Sequence, residues 1–225
     1  NWVQNTNVHP VISQNMYRLM NGRYTQLTQA WLKHGFCALQ GTVCSNNCSP
    51  NPTGCPALGV LCSDPYGSGL NGGQSGLGPK AEVNAASGAF LYPWQNNGTG
   101  TGELFKRMQP NAADLNLPGA QYFVACMYVH PEDAAAHNNN NNESYRRITF
   151  TSGLDMNLMD TTQRMKPGIQ AWRDHGLGAN IPDPGVTLSN VDVPGDGRFI
   201  VGVKVTNLGG GNWHYEYAIH NVDNS

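Results

Sequence analysis

The stretch that most constrains this chain is 186–222, which reads as three antiparallel strands, VTLSNVDV, RFIVGVKVT and WHYEYAIHNV, joined by turns at 194–197 and 207–212. Successive side chains of a pleated strand point to opposite faces. Phe199, Val201, Val203 and Val205 therefore share one face of the second strand, and Trp213, Tyr215, Tyr217 and Ile219 share one face of the third. A one-residue slip would turn a whole apolar set toward water. The expected register places Val205 opposite Trp213 and Phe199 opposite Ile219. It also sets Lys204 opposite His214 and Gly202 opposite Glu216 on a polar face that continues to His220. The Asp196-Gly197 pair is a hairpin signal, because both residues tolerate positive φ. An aromatic face of this size is expected to lie under a second layer, most simply another sheet. The predicted fold is mainly β: a sandwich-like antiparallel β-domain over 1–225, with a long disulfide-pinned loop region and one or two short helices.

Cysteine placement points to the compartment. Cys37, Cys44, Cys48, Cys55 and Cys62 crowd one Ser/Asn/Pro/Gly-rich stretch, 37–78, and Cys126 stands alone downstream. Such loops hold little apolar area of their own, so disulfides are the natural staple and an oxidising compartment is implied. Spacing does not decide the pairing, although Cys126 must bond into the cluster if all six are paired. A zinc site is disfavoured, since the nearest spacing, Cys44-x3-Cys48, has no matching second pair.

With 12% charged residues and a net charge of −2, nothing suggests a surface that tracks the phosphates of DNA or RNA. The 27 glycines and 14 prolines imply many turns and irregular connections, as in a β-rich extracellular domain. No apolar run is long enough to span a membrane and no lipid-attachment motif is present. The chain opens at Asn1 without methionine, so it is expected to be processed or trimmed, and exported.

Along the chain, 1–12 is an extended lead-in. Asn21-Gly22 looks like a hairpin turn, yet Tyr24, Leu27, Trp31 and Leu32 keep helical spacing, which favours a short helix over 25–34. Segment 121–130, QYFVACMYVH, is apolar on both faces and suits a buried central strand with Cys126 inside. Segment 131–137 is expected to form a helical turn with proline first, 144–151 a strand, and 168–175 a short helix ending at Gly176. The recurrence of Gln-Ala-Trp with His-Gly at 29–35 and 170–176 has unmatched flanks and reads as chance similarity rather than duplication.

The segments NTNVHPVISQNMYRL, AWLKHGFCAL, CSDPYGSGLNGGQSGLGPKAEVNA and DGRFIVGVKVTNLGGGNWHYEYAIHN resemble those of a group of secreted, functionally uncharacterised proteins of planctomycete-type bacteria. The likeness covers most of the chain in order. It implies an export signal ahead of the position of Asn1 and further β-sequence beyond Ser225. It implies no activity and assigns no catalytic residue.

Seven histidines are the main chemical resource. His214 and Glu216, two apart on one strand face, could share a transition metal with His34 or His9 from the N-terminal region. His220 lies about 20 Å from His214 along a straight strand at roughly 3.3 Å per residue, too far to join them. The plainer reading of His214, Glu216 and Lys204 is a solvated cross-strand polar cluster. Calcium could use Asp64, or Asp192 with Asp196, but Asp-Pro and Asp-Gly are ordinary turn chemistry. No nucleophile elbow is present. Trp94 and Tyr92, with Tyr66 and Trp2, could form glycan-stacking platforms or serve as local packing anchors. The leading expectation is an extracellular structural or assembly protein whose partners are other copies of itself or cell-surface and extracellular material. The alternatives are a secreted metal-dependent enzyme and a glycan-binding module.

Overall fold

The computed structural model describes residues 1–3, 5–43, 45–67, 69, 73, 76–93 and 99–224. The protein is mainly β, and the described residues form two antiparallel sheets of seven and three strands. In chain order the elements are β1 (Val11–Met20), β2 (Arg23–Gln29), β3 (Leu32–His34), β4 (Leu77–Gly78), β5 (Gln121–Val129), α1 (Pro131–Ala135), β6 (Glu143–Phe150), β7 (Met156–Leu158), α2 (Gln170–Asp174), β8 (Val186–Asp192), β9 (Arg198–Gly209) and β10 (Asn212–Asn221). Two compact units divide the chain. The first takes 1–13, 30–107 and 128–139, and the second takes 14–29, 108–127 and 140–225.

The second unit is sandwich-like. One layer runs β2-β1-β5-β6-β7 and the other β10-β9-β8. Their core joins Tyr17, Leu19, Tyr24, Phe123, Ala125 and Tyr145 to Ile169, Ala171 and Trp172 around α2, and to Val186, Ile200 and Val222 of the smaller sheet. Trp172 is the largest fully buried side chain. Its indole N–H donates to the Gly22 carbonyl at 2.9 Å, so a core-filling ring also satisfies its one polar group. Behind β1 and β5, Met16, Tyr122 and Ile148 form a second apolar cluster with Leu27 and Phe150.

That double burial explains why 25–34 is not the expected helix. Asn21 (φ 53°) and Gly22 (φ 78°) form a two-residue primed turn that pairs Met20 with Arg23. The chain returns as β2, then β3. Tyr24 packs into the first cluster and Leu27 into the second. Residues three apart on a strand face opposite sides, and here both sides are apolar, which imitates helical spacing. The Gln-Ala-Trp echo is thus the end of β2 with its link to β3 at 29–31 and a helix at 170–172. Four elements fall where expected: β5, β6, α1 with Pro131 in its first turn and the His130 side chain capping it, and α2 running into His175; β1, β3, β4 and β7 are strands beyond those expected.

The smaller sheet has the three predicted strands, but its register differs by two residues. Tyr215 pairs with Val205, Glu216 with Lys204, Ala218 with Gly202 and Asn221 with Phe199. Gly210 and Gly211 both have positive φ and close a two-residue turn, so the strands run further toward each other than a long 207–212 loop would allow. The β8–β9 turn uses Pro194 and Gly195 (φ 79°) rather than Asp196-Gly197 as its central pair, with the Asp196 N–H donating to Val193 O at 3.1 Å. Gly197 is required for another reason: a Cβ there would lie 2.5 Å from the Asp223 carbonyl oxygen.

In the first unit, Val11 and Ile12 pair with His34 and Lys33, and β3 pairs with β4. The following loop has isolated bridges, Gly41 with Ser63 and Ser49 with Val60. Disulfides Cys37–Cys55 and Cys48–Cys62 hold it. Gln40 acts as a polar hub: Nε2 donates to Ala57 O at 2.6 Å, while Oε1 accepts from Asn51 N and Gly59 N at 3.1 and 2.8 Å. A side-chain amide here performs the pairing that a strand would otherwise supply. Cys44 lies outside the described residues. The expected bond from Cys126 into the cluster is absent. Cys126 is a free, exposed thiol on β5 opposite Ser144 of β6, not an inward-facing residue.

Candidate functional site

The outer face of the three-stranded sheet is the most distinctive surface of the second unit. Register places Thr187, Val203 and Tyr217 in one row, Ser189, Val201 and Ile219 in the next, and Val205 beside Tyr215. This is the face expected to be buried, and it is open instead. Trp213 is 53% exposed, Tyr215 52%, Tyr217 63% and Ile219 72%. The opposite face, expected to be polar and solvated, packs inward through Val186, Leu188, Ile200, Gly202 and Ala218.

The inversion has a physical cause. Gly202 leaves room for Trp172, whose Cζ3 would stand 2.9 Å from a Cβ at that position. The large ring comes from α2, so the inner face of β9 needs a residue without a Cβ at position 202. The inward polar groups of that face, Lys204 and His220, have partners. Lys204 donates to Asp183 at 2.6 Å. Burial pushes the Asp183 carboxyl up, but the Lys204 bond and ion pair and the Gly185 N–H bring it below the usual carboxylate range. His220 Nε2 lies 2.7 Å from Glu143 Oε2, and Gly168 N–H donates to the other Glu143 oxygen at 2.9 Å. Lys204 therefore does not face His214 on a solvated surface; it pairs in register with Glu216. The outer face itself carries no charged residue in any of these rows, and the Tyr215 and Tyr217 rings lie parallel, 6.3 Å apart.

The proposed metal ligands fall into two separate pairs. His214 Nε2 bonds Glu216 Oε1 at 2.9 Å in the second unit. His9 Nε2 meets His34 Nδ1 at 2.8 Å in the first, with both rings against Phe90. His9 is 1% exposed and His34 4%. Burial lowers His9 to about 4, and burial with the His9 and Lys33 charges lowers His34 to about 3. Both are neutral at pH 7. His9 Nδ1 is buried at the Val3 and Thr6 backbone. Among the described residues no group of three or more His, Cys, Asp or Glu side chains is arranged to hold a metal ion.

The oxygen-rich turns are occupied internally. Asp64 accepts from Leu39 N–H at 2.7 Å and from the Trp2 indole at 3.1 Å. Asp192 holds Arg198 through both oxygens, at 2.6 and 3.2 Å. Of the glycan-stacking candidates, Trp94 lies outside the described residues. Tyr92 donates its hydroxyl to Asn5 at 3.0 Å and sits edge-on to His9.

A further polar cluster was not legible in the sequence. Tyr145 donates to Asp174 Oδ2 at 2.9 Å and lies 3.4 Å from His175 Nε2. Lys166 donates to the same carboxylate oxygen at 3.0 Å. His175 Nδ1 accepts from Asn180 N–H at 2.9 Å, which places its proton on Nε2, toward the tyrosine. Burial, then Asp174, pushes the Tyr145 hydroxyl far up, so it stays a hydrogen-bond donor. With Tyr145 and His175 both buried, the cluster clamps α2 to β6. Only the Arg-Asp-His run at the end of the predicted helix hinted at it.

These features define a mainly β, disulfide-bearing protein with an open, uncharged sheet face. No helix among the described residues is long and apolar enough to cross a membrane. No protein-family model, curated protein or solved structure matches the chain.

Proposed function

We propose that this protein is an exported structural or assembly protein that associates with other copies of itself through the outer face of β8–β10. The observation that carries the reading is the row Trp213, Tyr215, Tyr217 and Ile219, each more than half exposed on a face without charge. Apolar patches of this kind mark association surfaces. Three half-exposed aromatics with Ile219 and Val205 present on the order of 500 Å² of side-chain surface. Two copies packed face to face would bury roughly 1,000 Å², the lower range for a specific contact. The two disulfides and the resemblance of the long motifs to exported planctomycete-type proteins support the compartment. Sedimentation velocity over a range of protein concentration tests the reading. Wild type is expected to associate and Val205→Glu to lose that association; dispersed monomers of wild type throughout would overturn it.

A second reading, a metal-dependent site at His9 and His34, is favoured by one observation: two buried imidazoles whose ring nitrogens stand 2.8 Å apart. Elemental analysis of untagged protein decides it. Stoichiometric transition metal that His34→Gln abolishes would support it, and metal-free native protein would remove it.

A further inference from the structure

The same sheet ends at β10, where Arg23 of β2 reaches Glu216 at 3.8 Å. In the order β10-β9-β8, β10 pairs with one strand only among the described residues. It is ten residues long and carries no proline or lysine; its edge devices are the inward Glu216 and the irregularity at Asn212/Trp213, which leave 213–218 as the stretch that can pair. Its outward N–H and C=O groups can accept another strand. We propose that this acceptor edge takes β10 of a second copy, antiparallel, with Tyr215 on the two-fold axis. The inference rests on the self-association reading and adds a second contact, distinct from the face.

Sequence and geometry select the register. Antiparallel partners directly opposite share a face, so His214, Glu216, Ala218 and His220 must meet one another and the aromatic residues must meet one another. An axis through Glu216 would set two Glu216 carboxylates opposite, and like charges directly opposite are destabilising. An axis through Tyr217 would put His214 opposite His220, which is buried against Glu143. An axis through Tyr215 puts His214 opposite Glu216 of the second copy, twice by symmetry, and Trp213 opposite Tyr217. His214 and Glu216 already lean together within one chain at 2.9 Å, so the pairing extends an existing polar row into a four-membered one.

An edge contact and a face contact are each two-fold. A protomer carrying two different two-fold contacts continues to add copies rather than closing as a dimer, which is the behaviour an assembly protein requires.

Cysteine scanning in a Cys126→Ser background tests the register. Opposite Cβ atoms stand about 4.5–5.5 Å apart, near disulfide reach. Tyr215→Cys alone is expected to form a covalent dimer under mild oxidation. Trp213→Cys and Tyr217→Cys should each fail alone, since like residues would lie about 13 Å apart at roughly 3.3 Å per residue, and should cross-link when the two proteins are mixed. Covalent dimer from Tyr217→Cys alone, or none from Tyr215→Cys in a protein that still associates, would overturn the edge register and leave the face reading intact. Adding Val205→Glu to Tyr215→Cys should keep the cross-link while limiting assembly to dimers. Loss of the cross-link there would show the edge contact to depend on the face and would overturn the claim of a second, separate contact. Monomers throughout, with no cross-link, would remove both readings.

Discussion

The indole of Trp172 lies against Gly202, so closely that a Cβ at position 202 would be 2.9 Å from Cζ3 and 3.0 Å from Cε3. Leu188 Cδ2 closes the other side at 3.1 Å. Because Trp172 is fully buried and tied to Gly22, the ring has nowhere to move. Gly202→Val is expected to destabilise the protein by about 1–3 kcal/mol through overpacking. Urea unfolding should show a lower midpoint with an unchanged slope.

On the opposite side of the same strands the outcome reverses. Tyr217 is 63% exposed and carries little of the folding free energy, so Tyr217→Ser is expected to stay within about 0.5 kcal/mol of wild type. Its association should nevertheless fall several-fold in sedimentation velocity. A variant that unfolds easily would contradict the open placement of this ring.

These two positions show how far the sequence could be read. Alternation located β8, β9 and β10 and sorted their residues into the right two sets, because a period of two is local information. Which set faces the core is not local. It depends on Trp172, arriving from α2, filling the space over Gly202, and on Asp183 and Glu143 satisfying Lys204 and His220. A row reading Lys204, Gly202, Glu216 and His220 looked like a water-facing surface because its partners lie far away in sequence. The β9–β10 register shifted for a smaller reason, a tight turn at Gly210-Gly211. His9 and His34 were singled out for their chemistry, and their pairing follows from β1 and β3 lying side by side, which the helix expected over 25–34 concealed.

The loop after β3 depends on its cross-links. Cys37–Cys55 and Cys48–Cys62 span 18 and 14 residues, and loops of this length gain about 3 kcal/mol each from closure. Peptide mapping without reduction should recover those two linked pairs, and iodoacetamide should label Cys126, faster at alkaline pH because burial and then Glu143 push its thiol up to about 11. Cys48→Ser is expected to raise proteolysis of the 38–67 region first, before the sandwich-like unit unfolds. A linked peptide containing Cys126 would contradict the arrangement.

Acid should loosen the first unit through its histidine pair. Burial holds His9 at about 4 and His34 at about 3, whereas in the unfolded chain both titrate near 6.5. Between these limits the unfolded state binds more protons, so stability rises with pH from about 3 to 6.5 and the contribution is lost as pH falls through that window. Each histidine contributes a slope on the order of 1 kcal/mol per pH unit near its middle. The groups that bear on the pair are Lys33 and His130, whose charges also disfavour protonation. Urea midpoints measured from pH 4 to 7 should therefore climb steeply for wild type. The His9→Gln, His34→Gln double variant should show a flatter rise, with the difference largest at the neutral end. An equally steep profile for the double variant would place the acid sensitivity elsewhere, in the paired carboxylates Asp174 and Asp183.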